Sequence, residues 1–389
     1  MWIKREISEI LSRSVEQFPA LILTGARQVG KTSLLQRLYP DRTFVTLDLP
    51  TNAELAEREP GEFLKRYPPP VIIDEVQYAP GLFRHLKGEI DKNRDDYGRF
   101  ILTGSQKFTL MKSVSDSLAG RSAVFELETL AAREILSARR LTEAEMMVRG
   151  GMPELNARPE LDRNTFCQSY VATYLERDVR TILNIAQLRD FERFLRACAL
   201  RSGQVLNKSE LARDVGVSPT TANEWLSVLS ASNQVVLLEP WFSNKTKSLI
   251  KSPKLYLADA GLMCYLVGID SVDDLARSPM AGAVWETFVF SEIRKRSVFK
   301  HGRWDVWLWR DSRGLEIDFL INRGGRFKLI EAKLSEAPER RDAERLKKVA
   351  SLLGDKSVDR MAIVSRTKQR FPMGDGVDAI SLGELDEYL

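Results

Sequence analysis

Short, wholly apolar runs alternate with longer segments of helical period along the first third of the chain. This is the pattern of strands buried on both faces and joined by helices. Ala20-Leu21-Ile22-Leu23, Phe44 to Leu49, Val71-Ile72-Ile73, Phe100-Ile101-Leu102 and Ala123-Val124-Phe125 read as strands. Residues 3–17 and Ser33 to Tyr39 read as helices, the second stopped by Pro40. From Ala131 to Gln204 the period is helical, broken at Gly150-Gly151-Met152-Pro153, where a domain boundary is expected. Ser209 to Leu226 predicts two helices about a tight turn: the first stops at Gly216, and the second starts from a Ser218 cap with Pro219 at its first position. Ala222, Trp225, Leu226 and Leu229 face inward on that second helix. Val235-Val236-Leu237-Leu238 and Lys254-Leu255-Tyr256-Leu257 follow as strands. Further on come a helix from Ala283, a strand at Leu315 to Ile321, a turn at Gly324-Gly325 and a strand at Phe327 to Lys333. A charged amphipathic helix from Glu339 to Leu353 and a last strand at Met361 to Val364 follow, and the acidic end is expected to form a short helix. The expected class is α/β, in four parts: 1–150, 151–204, 205–265 and 266–389.

Between the first strand and its helix lies Gly25-Ala26-Arg27-Gln28-Val29-Gly30-Lys31-Thr32, which fits G-x-x-x-x-G-K-[ST], followed by Ser33. Two glycines let such a loop turn successive N–H groups inward onto phosphate, with the positive end of a helix behind them. Lys31 is expected to reach the β- and γ-phosphates and the Thr32 hydroxyl to ligate Mg²⁺, which makes ATP and Mg²⁺ the predicted cofactors. Asp74, at the end of the third strand, is the expected holder of the Mg²⁺ hydration shell, and Glu75 the base that polarises the attacking water. Thr103 or Ser105, at the polar end of the next strand, is expected to touch the γ-phosphate; a helix cap is the other role open to Ser105. Two readings of Arg121 stand: a finger supplied to a neighbouring subunit, or a surface arginine paired with Glu126 or Glu128.

The helix-turn-helix and its two strands predict a winged helix, with Lys245, Lys247 and Lys251 in the wing. DNA contact follows if Thr220, Thr221, Asn223 and these lysines are exposed together. Glu224 on the same helix opposes phosphate, and winged helices also contact proteins. In the last part, a two-residue turn at Gly324-Gly325 pairs Arg323 with Arg326 and sets Asp318 opposite Glu331, Cβ atoms about 5 Å apart. Glu331 and Lys333 share a face. The same register sets Glu316 opposite Lys333, so a plain cross-strand ion pair is the alternative.

Composition adds limits. The 389 residues, 43% hydrophobic and 29% charged, suit a soluble protein of several domains, and a net charge of +4 argues neither for nor against nucleic acid. Three widely spaced cysteines and two histidines assemble no Cys/His metal site. No run is apolar enough to span a bilayer, and a cytoplasmic, membrane-free protein is expected.

Taken together, the P-loop, Val71 to Glu75, Ser117-Leu118-Ala119-Gly120-Arg121, Tyr170 to Arg180 and Ser252 to Leu262 resemble a large prokaryotic family of AAA-type ATPases. That family pairs an archaeal-ATPase-like P-loop domain with a C-terminal domain of unknown function. The resemblance covers nearly the whole chain and implies an AAA+ core with strand order 5-1-4-3-2, a winged helix and a restriction-endonuclease-like C-terminal domain. The last part is likewise similar to the PD-(D/E)xK nuclease constellation. There Asp318 and Glu331 would hold Mg²⁺, Lys333 would orient the attacking water and Glu286 would support the metal. Leu315-Glu316-Ile317 departs from the Pro-Asp of that pattern. The leading expectation is an oligomeric, ring-capable ATPase working on DNA, branched DNA included. The alternative is a nucleotide-controlled protein switch with a silent nuclease-like domain and an unidentified protein partner.

Overall fold

The computed structural model describes residues 1–105, 114, 117–174, 179, 185–241, 251–299 and 304–389, without the side chains of 185–187. The chain forms two compact units.

The first unit comprises Met1–Leu130, Met152–Ala157 and Ala231–Asn233. Its sheet has the order β2-β3-β4-β1-β5, from β1 (Ala20–Thr24), β2 (Thr43–Thr46), β3 (Val71–Asp74), β4 (Phe100–Gly104) and β5 (Ser122–Glu126). Every pairing is parallel, and the expected order 5-1-4-3-2 is the one observed. Parallel strands need crossovers: α2 (Lys31–Leu38) supplies the first, α3 (Pro50–Arg58) and α4 (Pro60–Arg66) the second and α5 (Leu82–Lys92) the third, with α1 (Ser8–Val15) ahead of β1. One face of the sheet, with Ile22, Ile73 and Leu102, packs on Phe63 of α4 and Phe83, Leu86 and Ile90 of α5 in one continuous core. Burying each such side chain contributes roughly 1.5–3 kcal/mol. The second strand is shorter than its apolar run: it ends at Thr46 because Pro50 opens α3.

The second unit comprises Ala131–Gly151, Arg158–Ser230 and Gln234–Leu389. The chain passes from the first unit to the second after Leu130 and returns to the first for Met152–Ala157, so one change of unit falls directly after the glycine pair at 150–151. Gly150 has φ +76°, and a Cβ built on it would lie 2.3 Å from Asp259 Oδ1, while one on Gly261 would lie 2.4 Å from Gly150 Cα. The two glycines let backbones meet, and Asp259 seals the crossing by accepting from Gly151 N (2.8 Å) and Leu262 N (3.0 Å). After α6 (Ala132–Ala138), α7 (Glu143–Arg149), α8 (Arg163–Tyr174) and α9 (Ile185–Leu200) come α10 (Lys208–Val215) and α11 (Pro219–Ala231). The turn between α10 and α11 is as expected: Gly216 is left-handed, and Ser218 Oγ accepts from Thr221 N at 3.0 Å. Trp225 of α11 meets Phe191 and Phe194 of α9 edge-on. A three-stranded sheet, β6-β8-β7, sits beside them, built from β6 (Gln204–Val205), β7 (Val235–Leu238) and β8 (Lys254–Leu257). Lys245 and Lys247 lie outside the described residues, as do residues 175–178 and 180; Tyr170 and Tyr174 are buried in α8.

A six-stranded sheet follows, in the order β13-β14-β12-β11-β10-β9. Its strands are β9 (Asp305–Arg310), β10 (Glu316–Arg323), β11 (Arg326–Lys333), β12 (Val358–Ser365), β13 (Phe371–Pro372) and β14 (Val377–Ile380), preceded by helix α12 (Ala260–Leu266) and the long α13 (Ala281–Phe299). Gly324 and Gly325 both have positive φ, the conformation of a two-residue hairpin turn, and Arg323 pairs with Arg326 as counted. Helix α14 (Arg340–Leu353) lays Leu346 and Val349 into a core with Leu320, Leu329 and Ile363. Phe319 instead stacks on Phe290 of α13 at 5.6 Å, as the alternation of a strand requires.

Candidate functional site

The loop between β1 and α2 is shaped by residues that no substitute fits easily. Gly25 has φ +145°, and a Cβ there would lie 2.2 Å from the carbonyl oxygen of Leu127. Gln28 and Gly30 also have positive φ. Arg5, buried at the chain's start, braces the loop by donating to Val29 O (2.9 Å) and Glu128 O (2.7 Å). Lys31, nearly buried, folds back to donate to Gly25 O and Ala26 O, both at 2.9 Å.

Parallel pairing brings the ends of β3 and β4 beside this loop. Asp74 Oδ1 accepts from Thr32 Oγ1 (3.0 Å) and from Thr103 Oγ1 (2.5 Å). Burial holds the Asp74 carboxyl above its usual range, against the hydroxyl of Thr103, with the charge of Glu75 adding to the rise. Glu75 is itself left-handed, φ 55° and ψ 47°, a conformation uncommon for a non-glycine residue and frequent at functional sites. Its Oε2 accepts from Ser105 Oγ (3.0 Å), Ser105 N (3.3 Å) and Gln77 Nε2. The two candidates at the end of β4 thus divide by the carboxylate they donate to: Thr103 Oγ1 donates to Asp74 and also accepts from Glu75 N, whereas Ser105 Oγ donates to the Glu75 carboxylate. A cavity of about 390 Å³ adjoins the loop, walled by Trp2, Ile3, Gln28, Gly30, Ser33 and Pro153 among others. The loop, the hydroxyl of Thr32 and the carboxylate behind it fit a magnesium nucleotide.

Arg121 pairs with neither Glu126 nor Glu128 as expected. It makes a two-pronged bond to Asp91 of α5, Nε to Oδ1 at 2.7 Å and Nη2 to Oδ2 at 3.0 Å.

In the second unit the residues expected to hold a metal are gathered differently. Lys254, the first residue of β8, points its ammonium at Glu286 (2.7 Å), Glu316 (2.7 Å) and Asp318 (2.9 Å). Glu331 sits apart from this trio, paired with Lys333 at 2.8 Å, and accepts from Asp318 N at 3.4 Å. Glu316 does not meet Lys333; its other oxygen accepts from Arg310 at 2.7 Å. Burial first, then the Asp318 carboxylate, pushes Glu331 up to about 8 and Glu286 up to about 7. Among the described residues no group of three His, Cys, Asp or Glu side chains is arranged to hold a metal ion. The position around which the acids converge carries a lysine, and the set does not fit a divalent cation. The acids form the floor of an open cavity of about 640 Å³, with Arg313, Arg345 and Lys348 also in its wall.

Lys254 and Arg5 were missed by reading the sequence for motifs. Lys254 carries a signal nonetheless, because a lysine inside a wholly buried strand is rarely tolerated without a paired acid.

Of the residues whose joint exposure DNA contact requires, Thr220, Asn223 and Lys251 are exposed and Thr221 is half-buried. Lys208 donates to Asn223 Oδ1 at 2.6 Å. Among the described residues none of the helices is long and apolar enough to cross a membrane.

A five-stranded parallel sheet with a glycine loop ahead of a Lys-Thr helix, and an Asp-Glu strand end beside it, defines a P-loop ATPase of the AAA type. Residues 17–136 match the AAA domain family, 141–273 a domain of unknown function (DUF8612) and 281–385 a second one (DUF4143). The chain belongs to the same family as Uncharacterized protein Rv2008c of Mycobacterium tuberculosis, with 31% identity over 394 residues, spanning 99% of this chain and 86% of that protein. Uncharacterized protein Mb2031c of Mycobacterium bovis matches with the same figures, 31% and 394 residues. Of solved structures, the Walker-type ATPase PABY2304 of Pyrococcus abyssi is similar at 17% identity and TM-score 0.46, over 68% of this chain and 96% of its own. The RuvB Holliday junction branch migration motor of Thermotoga maritima is similar at 19% identity and TM-score 0.32, over 60% of this chain and 89% of its own.

Proposed function

We propose that the chain binds ATP with Mg²⁺ at the P-loop and hydrolyses it, and that turnover drives work by the second unit on DNA. The observation that carries the first part is the hydrogen-bonded row Thr32–Asp74–Thr103 with Glu75 alongside. In this reading Lys31 exchanges its two loop carbonyls for phosphate oxygens, and residues 25–33 wrap the phosphates with backbone N–H groups. Thr32 and Asp74 would hold Mg²⁺, which when bound neutralises charge on the phosphates. Glu75 takes the proton of the attacking water, and Ser105 and Gln77 hold it ready, while Thr103 orients Asp74. The cavity beside Trp2 takes the nucleoside. Arg121 serves the shared site of an oligomer only by leaving Asp91.

DNA as the target is supported by the exposed Thr220 and Asn223 on the second helix of a helix-turn-helix, read as a winged helix. A second reading has its own support: the outward charges of α10 and α11 include Glu210, Asp214 and Glu224 against Lys208 and Arg213. A face of that balance suits a protein partner better than a phosphate backbone. ATPase rate measured against branched, single-stranded and duplex DNA, with the salt dependence of binding, separates the two. Stimulation by DNA with affinity falling steeply in salt upholds the DNA reading; turnover indifferent to every DNA, with no salt-dependent binding, overturns it in favour of the switch. Loss of turnover in Lys31→Ala is expected in both.

A further inference from the structure

Lys254 is buried to a degree rare for lysine, with its side chain 4% exposed. An ammonium has three N–H donors, and three carboxylates from two different elements meet them: Glu286 of α13, and Glu316 and Asp318 of β10. The separations of 2.7–2.9 Å are those of charge-assisted N–H···O bonds. A bound Mg²⁺ draws oxygens to about 2.0–2.1 Å and Ca²⁺ to about 2.3–2.6 Å, each needing at least six. Two of the three oxygens left over are engaged as well, and the Glu286 oxygen on the lysine has a second donor. Asp318 Oδ2 accepts from Ala332 N at 3.0 Å, Glu316 Oε2 from Arg310 at 2.7 Å, and Glu286 Oε1 additionally from the Tyr256 hydroxyl at 2.6 Å. Nor is the lysine free to swing away. Its backbone pairs with Val205 on one side and Leu238 on the other, and the next three residues of β8 are fully buried.

We infer that Lys254 is the resident cation of the C-terminal pocket: a tethered ammonium stands where three convergent acids would otherwise gather a divalent ion, and the pocket takes up no metal. Phosphodiester cleavage of the two-acids-and-lysine kind therefore does not occur there. Taking the ammonium away opens a divalent-cation site made of Glu286, Glu316 and Asp318. This inference is independent of ATP turnover in the first unit.

The test is uptake of Mn²⁺ by the full-length, nucleotide-free protein, read from the loss of the free-ion electron paramagnetic resonance signal. The wild type is expected to bind none that Asp318→Asn removes. Lys254→Met, neutral and of similar length, is expected to gain about one Mn²⁺ per chain, and the gain is expected to vanish in Lys254→Met/Asp318→Asn. Uptake by the wild type that Asp318→Asn abolishes would overturn the inference, as would Asp318-dependent DNA cleavage in Mn²⁺. So would a folded Lys254→Met that binds nothing. Circular dichroism establishes folding of the variant; should three uncompensated acids prevent it, the comparison of wild type with Asp318→Asn still decides.

Discussion

Asp74→Asn is predicted to stabilise the protein without nucleotide while abolishing its response to nucleotide. In the unliganded protein the carboxylate is buried at the end of β3, and burial raises its pKa more than the hydroxyls of Thr103 and Thr32 lower it. A folded pKa above the unfolded one means that the fold prefers the neutral form. Stability is full below the unfolded value and is lost as pH rises through the folded value. Asparagine keeps an oxygen for both hydroxyls and removes the buried charge. Two charge-assisted bonds become neutral ones, each weaker by about 1 kcal/mol, and the relief of burial exceeds that loss, since the net direction is upward. With Mg²⁺ and ATP at about 100 times the dissociation constant, the wild type gains about 2.7 kcal/mol. For a unit of this size that is roughly 5–10 °C in melting temperature. Differential scanning fluorimetry with and without Mg²⁺-ATP reads both effects: the variant should melt above the unliganded wild type and shift little on adding nucleotide. A variant that melts lower and still shifts fully would refute the assignment of this carboxylate to the nucleotide site.

Glu75→Gln should bind ATP with unchanged affinity and turn it over about 10²–10⁴-fold more slowly, which a phosphate-release assay with a binding titration resolves. Gly25→Ala should lose nucleotide binding outright, because its Cβ would overlap the Leu127 carbonyl at 2.2 Å; calorimetry with ATP checks it. Gly261→Ala forces apart two backbones that meet at Gly150 and should lower stability by roughly 1–3 kcal/mol, measured by denaturant unfolding. The raised pKa values of Glu286 (about 7) and Glu331 (about 8) mean that the folded chain holds extra protons from their ordinary 4.5 upward. Stability should therefore fall as pH rises through that window. Melting followed across it should show the fall in wild type and a flatter profile in Glu331→Gln.

How much of this was legible in the sequence depends on how local each interaction is. The P-loop is contiguous and its glycines answer to backbone geometry, so Gly25 to Thr32 announces itself. Asp74 and Glu75 are legible as the polar end of an apolar run. Thr103 and Ser105 are not separable on the string. They lie two apart on one strand end, and only the cross-strand geometry gives Thr103 to Asp74 and Ser105 to Glu75. The partner of Arg121 lies on α5, a full crossover away, and no spacing rule reaches it. Gly150-Gly151 is legible as a break, and a change of unit follows Gly151, but the close approach of Gly150 to Gly261 is not legible, because it depends on a residue far along the chain. The hairpin count brought Asp318 and Glu331 together correctly, yet a count along two strands carries no knowledge of a third element, and Lys254 arrives from another sheet.

The two lysines at the two pockets show how the same residue marks opposite outcomes. Two of the partners of Lys31 are neutral carbonyls of its own loop, at 2.9 Å each. Such partners are exchanged readily, because a phosphate oxygen offers a charge-assisted bond roughly twice as strong as a neutral one, so the resting contact tilts toward the incoming ligand. Lys254 already holds three carboxylates, and any ligand that displaced it would have to replace charge-assisted bonds and leave buried acids without a counter-ion. One lysine is therefore poised to leave its partners and the other is not. That difference in the resting partners, more than the presence of acids and lysines in both places, separates an exchangeable nucleotide site from a pocket closed to metal.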